Sequence, residues 1–256
     1  MILRRLAEHM KQHHWTGVLI ELVIVVLGVF LGMQVSNWNA ERTERSAETR
    51  HLQEIAEDLR ADIATFELVR KSALTRISSI DYILGEKRGV TRPSHLDMPT
   101  GESFDIPEGI PIGAADRNIL LSRANLTRAT EGNRTGFDAL VGAGGMQTIR
   151  DRRIGRQLQQ YYAQLDDLVG LQTIIRQTRN DGTQIGYPLG LSAFGEMDAD
   201  KLIAIVRSSP AYSAYLRTSR EWAAIHLVSV DQQKQRALDL LGDINRYLGK
   251  SGSASP

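Results

Sequence analysis

Apolar residues are concentrated in one block near the start of the chain. Residues 16–36, TGVLIELVIVVLGVFLGMQVS, are 21 residues with a single charge at Glu21. At a rise of about 1.5 Å per residue they extend roughly 31 Å, the thickness of the hydrocarbon core of a bilayer. Trp15 and Trp38 flank the block, as aromatic residues do at membrane interfaces. The pattern therefore predicts a transmembrane helix over residues 15–38.

The length of this block argues against a cleaved signal peptide, whose apolar core is about 7 to 15 residues long. No small-x-small cleavage site follows it. We expect an uncleaved signal anchor, with a buried core helix as the alternative.

Basic residues flank the predicted span in equal numbers and do not by themselves fix its orientation. Those that follow it are interleaved with acidic residues, whereas the N-terminal stretch holds only Glu8. This favours an N-terminus inside and a C-terminal domain outside the cytoplasm. Residues 1–14 are then predicted to be a cytoplasmic amphipathic tail. The flanking basic residues are Arg4, Arg5 and Lys11 before the span and Arg42, Arg45 and Arg50 after it.

Helical periodicity begins after a polar stretch from Ala40 to Arg50. Beyond it, apolar residues recur at spacings of three, four and seven, which defines one face of a helix. With Gly85 as a stop signal, residues 39–86 are predicted to form a helical neck and the first helix of a bundle. The apolar positions are Leu52, Ile55, Leu59, Ile63, Phe66, Ala73, Ile77, Ile80 and Leu84.

Prolines interrupt the helical pattern in residues 87–115, which hold four of the seven prolines in the chain. We predict a Pro-rich mobile loop here, because long loops in compact domains are either functional or mobile and this one carries no catalytic constellation.

Helical patterning returns over residues 116–249. Asp151 is predicted to cap a long helix, and Pro210 suits the first turn of the final one. Between them, DGTQIGYPLG at residues 181–190 is predicted as a glycine-rich loop. The predicted helices cover 116–130, 135–141, a segment from 151 past 175, 199–208 and 210–249, and residues 250–256 are predicted as a disordered tail.

No period-2 alternation is convincing anywhere in the chain, so no strand is expected. The predicted fold class is all-α: a single N-terminal transmembrane helix continuing into an antiparallel helical bundle.

Composition excludes several classes of protein. The 31 Lys and Arg residues nearly balance the 30 Asp and Glu residues, so there is no polybasic tail and no nucleic acid partner is predicted. Cysteine is absent, which removes disulfides and fits either side of a membrane.

The sequence predicts no catalytic residue, no cofactor and no metal site. A nucleophile elbow, a Walker A loop and a G-x-G-x-x-G fingerprint are all missing. His226 lies on an apolar helical stripe and is interpreted as a hydrogen-bonded core residue. The sequence does not decide whether the protein is an enzyme, but the absence of catalytic motifs favours a protein without catalytic activity.

Four arginines fall within seven residues at the start of the long helix predicted from Asp151. They have two interpretations: a solvated Arg-rich face, or a site for a small anion or lipid head group. Cations at a helix N-terminus oppose the helix dipole, which is the reason for keeping the second interpretation. The residues are Arg150, Arg152, Arg153 and Arg156.

One face of the predicted span combines its small residues with its only charge. At about 100° per residue, this face falls within an arc of about 60°. We predict a helix–helix interface through which the protein forms a homo-oligomer; the alternative is that the Glu21 side chain snorkels to the interface. The face consists of Gly17, Glu21, Gly28 and Gly32.

Two segments resemble an uncharacterised bacterial family of single-span membrane proteins that carry a domain of unknown function. Glu21, Gly28, Gln34 and Asn37-Trp38-Asn39 match the pattern E-x-x-x-V-x-x-G-x-x-x-x-x-Q-x-x-N-W-N, and Phe137 to Tyr162 is similar to a second stretch of that family. Gly155 departs from it, since such proteins tend to carry Arg there. The resemblance implies a bacterial inner-membrane setting and supplies no reaction.

Three functions are compatible with these patterns. The favoured one is a membrane-anchored helical interaction or scaffold module of the bacterial envelope, which contacts the lipid bilayer and assembles with itself or with another envelope protein. The second is an extracytoplasmic ligand-sensing domain that binds a small anion near the cluster from Arg150 to Arg156. The third is a membrane-bound hydrolase without a recognisable motif.

Overall fold

The protein is mostly helical, as predicted. The structure, a computed structural model, describes residues 15–86, 94–97, 101 and 103–252. The predicted tail at 1–14, residues 253–256 of the predicted disordered tail at 250–256, and part of the predicted loop lie outside the described residues. Residues 250–252 of the predicted disordered tail are helical instead, because the last helix continues to Gly252. The helices of the described residues are α1 (Trp15–Leu84), α2 (Leu120–Ala124), α3 (Thr135–Gly142), α4 (Arg152–Gly186), α5 (Ala199–Ser208) and α6 (Pro210–Gly252). Short 3-10 turns lie at Ala114–Ile119, Gly145–Thr148 and Tyr187–Leu189.

The chain divides into two units, residues 1–50 and 51–256. The described part of the first unit is helical, and its apolar side chains are exposed from Leu19 onward. Within the described residues, α1 is the one helix long and apolar enough to cross a membrane.

Three long segments build the second unit: residues 51–84 of α1, and helices α4 and α6. Helices α4 and α6 are antiparallel, because Arg153 pairs with Asp243 near one end while Gly182 meets Tyr215 near the other. Helix α6 also runs antiparallel to α1. Glu67, Arg70 and Arg76 of α1 contact Lys234, Asp231 and Ser219 of α6, so the partners come earlier along α6 as α1 proceeds.

Helices α1 and α4 consequently run parallel, so the predicted antiparallel arrangement holds only for the pairs that include α6. Tyr161 of α4 meets Asp62 of α1, in keeping with this direction. The reason is the connection from Gly85 to Asp151, which is long enough to return the chain to the end of the bundle where it started.

The core confirms the helical periodicity of α1. Of the nine apolar positions predicted between Leu52 and Leu84, all except Ile63 and Leu84 are buried. Removing a large apolar side chain from water contributes about 1.5 to 3 kcal/mol, so this stripe is a main source of stability. The apolar side chains form separate clusters, one around Leu59, Tyr161 and Val230, one around Ile77 and Leu227, and one around Ile83, Leu121 and Leu216.

Two predicted helix boundaries are confirmed. Gly85 has a φ of +67° and ends α1 in the left-handed conformation that side chains disfavour. The Asp151 side chain caps α4, where one carboxylate oxygen accepts hydrogen bonds from the backbone N–H groups of Arg153 at 2.8 Å and Ile154 at 3.3 Å.

The expectation that the chain contains no strand is wrong. Strands β1 (His95–Asp97) and β2 (Ser103–Asp105) pair antiparallel, with Leu96 opposite Phe104. Ile106, just after β2, is buried against the cluster around Ile77. Strands of three residues are too short to show a period-2 pattern, and proline-rich flanks hid them. The predicted mobility of residues 87–115 stays a prediction.

The predicted glycine-rich loop at 181–190 is largely helix. Helix α4 continues to Gly186, and the chain turns only at Gly190, which has a φ of +73°. Gly182 and Gly186 are therefore contact positions rather than helix breakers, since they face the rings of Tyr215 and Tyr212. Conversely, the helix predicted over 116–130 is shorter, with a 3-10 turn followed by the five-residue α2.

Candidate functional sites

An apolar surface surrounds the helix of the first unit. From Leu19 to Val35, thirteen large apolar side chains are each between 47% and 64% exposed. Six of them, Leu22 to Leu27, are consecutive, so they point in every direction around the helix axis. Because each such side chain gains about 1.5 to 3 kcal/mol when it leaves water, this surface favours an apolar environment.

The face predicted for helix–helix contact is open. Glu21 is exposed, and a Cβ atom added at Gly28 or Gly32 would meet no atom within 4 Å. Gly17 belongs to the four helical residues whose surroundings are not described. The interface therefore stays a prediction.

The arginine cluster at the start of α4 is partly used in internal ion pairs. Arg153 and Arg246 both pair with the buried carboxylate of Asp243. Hydrogen bonding from Gln157 at 2.9 Å, with the two guanidinium groups, lowers the pKa of Asp243 below its usual value. The other three members, Arg150, Arg152 and Arg156, are exposed. Anion binding at this cluster stays a prediction, and Arg153 already has Asp243 as its ion-pair partner.

A buried arginine interrupts the core of the second unit. Arg76 of α1 is only 2% exposed, and its Nε and Nη2 donate to Oγ of Ser219 at 3.2 and 2.7 Å. Among the described residues, no carboxylate forms an ion pair with it. Burial, more than the nearby charge of Arg179, lowers the pKa of Arg76 to about 10, so the guanidinium remains charged at neutral pH.

Neighbouring arginines in the same part of the bundle do have partners. Arg220 forms a buried ion pair with Asp81 at 2.9 Å, and Arg123 pairs with Asp116. These contacts account for two acidic residues near the end of α1. The positive charge of Arg76 is thus left without compensation among the described groups.

Two further polar atoms near Arg76 have no partner among the described residues. The Oγ of Ser72 lies one turn before Arg76 on α1, and Nε2 of His226 lies two turns after Ser219 on α6; both atoms are buried. Burial first, and the charge of Arg76 second, lower the pKa of His226 to about 4. His226 is therefore neutral at pH 7. We call Ser72, Arg76, Arg179, Tyr215, Ser219 and His226 the Arg76 layer.

Sequence reasoning missed this layer, although one signal was present. Val69, Arg76 and Ile83 are spaced by seven residues and all three are buried, so a charge stood on the apolar face of α1. The interpretation of His226 as a hydrogen-bonded core residue is wrong in one respect, since the side chain is buried but its Nε2 has no partner among the residues that the structure describes.

A second buried polar group contrasts with the Arg76 layer because it is fully satisfied. The carboxylate of Asp62 accepts hydrogen bonds from Tyr161 Oη at 2.7 Å, from the backbone N–H of Asn133 at 2.8 Å and from Asn133 Nδ2 at 2.7 Å. Burial still outweighs these bonds and raises its pKa. This group ties the segment before α3 to the bundle.

No group of three or more potential metal-ligating side chains occurs in the described part of the chain. The chain matches no protein-family model, and comparisons with curated proteins and with solved structures found no significant similarity. The resemblance to single-span bacterial membrane proteins stays a prediction.

Proposed function

We propose that the protein is a membrane-anchored helical interaction module of the bacterial envelope. The observation that carries this proposal is the apolar surface from Leu19 to Val35, which is exposed on every side of its helix. A lipid bilayer supplies the environment that this surface requires, and the apolar block of residues 16–36, roughly 31 Å long as a helix, matches the hydrocarbon core. The Q-x-x-N-W-N sequence at its end supports the bacterial inner membrane.

The proposed orientation places residues 1–14 in the cytoplasm and residues 51–256 outside it. Its support is the distribution of charges around the span: the basic residues after Trp38 alternate with acidic ones, whereas those before Trp15 do not. With this orientation, the bundle meets other proteins of the envelope.

An interaction role also has support at the end of α4. Phe194 is 87% exposed and Tyr187 is 60% exposed, both in the segment that connects α4 to α5. Exposed aromatic side chains are enriched where proteins contact each other, because a single ring contributes a large apolar area. We propose that these two rings contribute to the contact with an envelope partner.

The anchor and its orientation are tested together by reporter fusions in a bacterial host. Alkaline phosphatase, active only outside the cytoplasm, and a fluorescent protein, active only inside, are fused separately after Gly249. We expect phosphatase activity, no fluorescence, and recovery of both fusions in membrane fractions after a carbonate wash. Fluorescence alone would refute the orientation, and release of the fusions by carbonate would refute the anchor.

The interaction surface is tested by crosslinking in intact cells. We expect the double variant Tyr187→Ser, Phe194→Ser to lose crosslinked species that the unaltered protein forms. Val141→Ser, which removes an apolar side chain of α3 that is 51% exposed, is the control and should keep the crosslinked species. Equal loss in both variants would contradict a role for the two rings.

A further inference from the structure

We propose that a small oxyanion, of the carboxylate or phosphate class, binds in the Arg76 layer between Arg76 of α1 and Arg179 of α4. This inference goes beyond the proposed function and does not depend on membrane anchoring, since every residue of the site belongs to the second unit.

Charge balance is the first argument for the anion. A buried charge without a counter-charge costs several kcal/mol, which is why buried arginines are normally paired. Two acidic residues in this part of the bundle are already engaged, Asp81 with Arg220 and Asp116 with Arg123. Arg76 has only the neutral hydroxyl of Ser219. A bound anion would supply the missing charge.

A second uncompensated cation points to the same place. Arg179 is partly buried, has no ion pair among the described residues, and lies close enough to Arg76 for the two charges to repel. The Tyr215 ring packs against Gly182, which lies three residues after Arg179 on α4, and Tyr215 lies four residues before Ser219 on α6. Arg179 and Arg76 are therefore at the same level of the bundle. Two arginines brought together without an acid are unfavourable unless an anion lies between them.

Unused hydrogen-bonding capacity fits an oxyanion. A guanidinium has five N–H donors, and Ser219 Oγ accepts from only two of the Arg76 nitrogens. The remaining donors suit the two parallel bonds that a carboxylate or phosphate accepts. The unpaired Ser72 hydroxyl and the unpaired, neutral His226 ring belong to the same layer and add donors without adding a negative charge.

Arg179 is the more exposed of the two arginines. Its side chain is intermediate in exposure, whereas Arg76, Ser219 and His226 are buried. The anion would therefore enter along the α4 side and be held at its inner end by Arg76.

The test is thermal unfolding of the full chain in an uncharged detergent and a dilute zwitterionic buffer. Sodium acetate and sodium phosphate are titrated separately, so that the carboxylate and phosphate classes are distinguished. We expect a saturable rise in Tm with at least one anion, and a loss of apparent affinity of tenfold or more in Arg179→Gln. Arg60→Gln removes an exposed arginine of α1 that belongs neither to the layer nor to the cluster from Arg150 to Arg156, and it should behave like the unaltered protein.

Arg76→Met separates anion binding from a purely structural role. If Arg76 binds an anion, its replacement by an apolar side chain should leave the protein equally stable or more stable when no anion is added. The same replacement should remove the saturable rise in Tm on addition of the anion. If Arg76 only bonds Ser219, Arg76→Met is less stable at every anion concentration. That result would overturn the proposal. So would the failure of both anions to give a saturable rise in Tm of the unaltered protein, or a rise in Tm of Arg179→Gln equal to that of the unaltered protein.

Discussion

The ring of Tyr215 lies directly against the backbone of Gly182. A Cβ atom added at Gly182 would lie 2.0 Å from Cζ and 2.1 Å from Cε2 of this ring, closer than any real contact allows. The ring is also held in place, because its hydroxyl donates to Oδ1 of Asn125 at 2.9 Å. Gly182 therefore sets the distance between α4 and α6.

Gly182→Ala should destabilise the bundle. We expect a loss of about 1 to 3 kcal/mol, the usual cost of overpacking a core, because either α4 or the Tyr215 ring must move. The matched control is Gly170→Ala in the same helix, where a Cβ atom meets nothing within 4 Å. That variant should gain about 0.5 to 1 kcal/mol from helix propensity. Denaturant unfolding measures both, and equal effects would contradict the close approach.

The cap of α4 gives a second prediction. Asp151→Ala removes the acceptor for the backbone N–H groups of Arg153 and Ile154 and should cost about 0.5 to 2 kcal/mol. Asp151→Asn keeps a side-chain oxygen and should retain most of the stability. Denaturant midpoints of the unaltered protein and the two variants measure these effects. If Asp151→Asn lost as much stability as Asp151→Ala, the charge of Asp151 and not its capping hydrogen bonds would be responsible.

His226 should make the protein sensitive to acid. Its pKa is lowered from 6.5 to about 4 in the folded state, so between these values the unfolded chain binds a proton that the folded chain does not. Stability therefore rises with pH across this window and falls as the pH drops from 6.5 to 4. The loss from this group is on the order of 3 kcal/mol.

His226→Gln isolates this contribution. Asp62 has a raised pKa and acts in the opposite direction, since protonating it in the folded state favours folding at low pH. It is present in both proteins, so it cancels in their difference. Thermal unfolding at pH 7 and pH 5 should show a smaller acid loss in the variant. If the unaltered protein and His226→Gln lost the same amount of stability between pH 7 and pH 5, a group other than His226 would cause the acid sensitivity.

The anchor face predicts self-association within a membrane. Gly28→Ile and Glu21→Leu should each weaken the signal in a membrane two-hybrid assay, because the first blocks close backbone approach and the second removes a hydrogen bond across the interface. Val29→Ile adds bulk next to Gly28 and outside the predicted face, and should leave the signal unchanged. Three equal signals would leave the anchor without a specific interface.

Periodicity made much of this fold predictable. The stripe from Leu52 to Ile80 and the start of the last helix at Pro210 match the structure because both follow local rules. The hairpin around Leu96 was not predictable, since its strands are short and their pairing is not local.

The direction of packing and the candidate anion site required the tertiary structure. The sequence pattern predicts a loop at Gly182 and Gly186, because a single sequence does not distinguish a glycine that permits a turn from one that permits close contact. Arg76 carries a similar ambiguity: its spacing predicts burial, but only the fold shows that the acidic residues around it are taken by other arginines.

The packing of α6 against α1 has a consequence for how the chain is made. Residues of α1 find their partners on α6 at long sequence separation; Glu67, for example, waits for Lys234, 167 positions further along. At about 5 to 20 residues per second, translation needs roughly 8 to 30 s to cover that distance. During this interval the apolar stripe of α1 lacks its covering helix, so chaperone binding to the nascent chain should concentrate on residues 52–83.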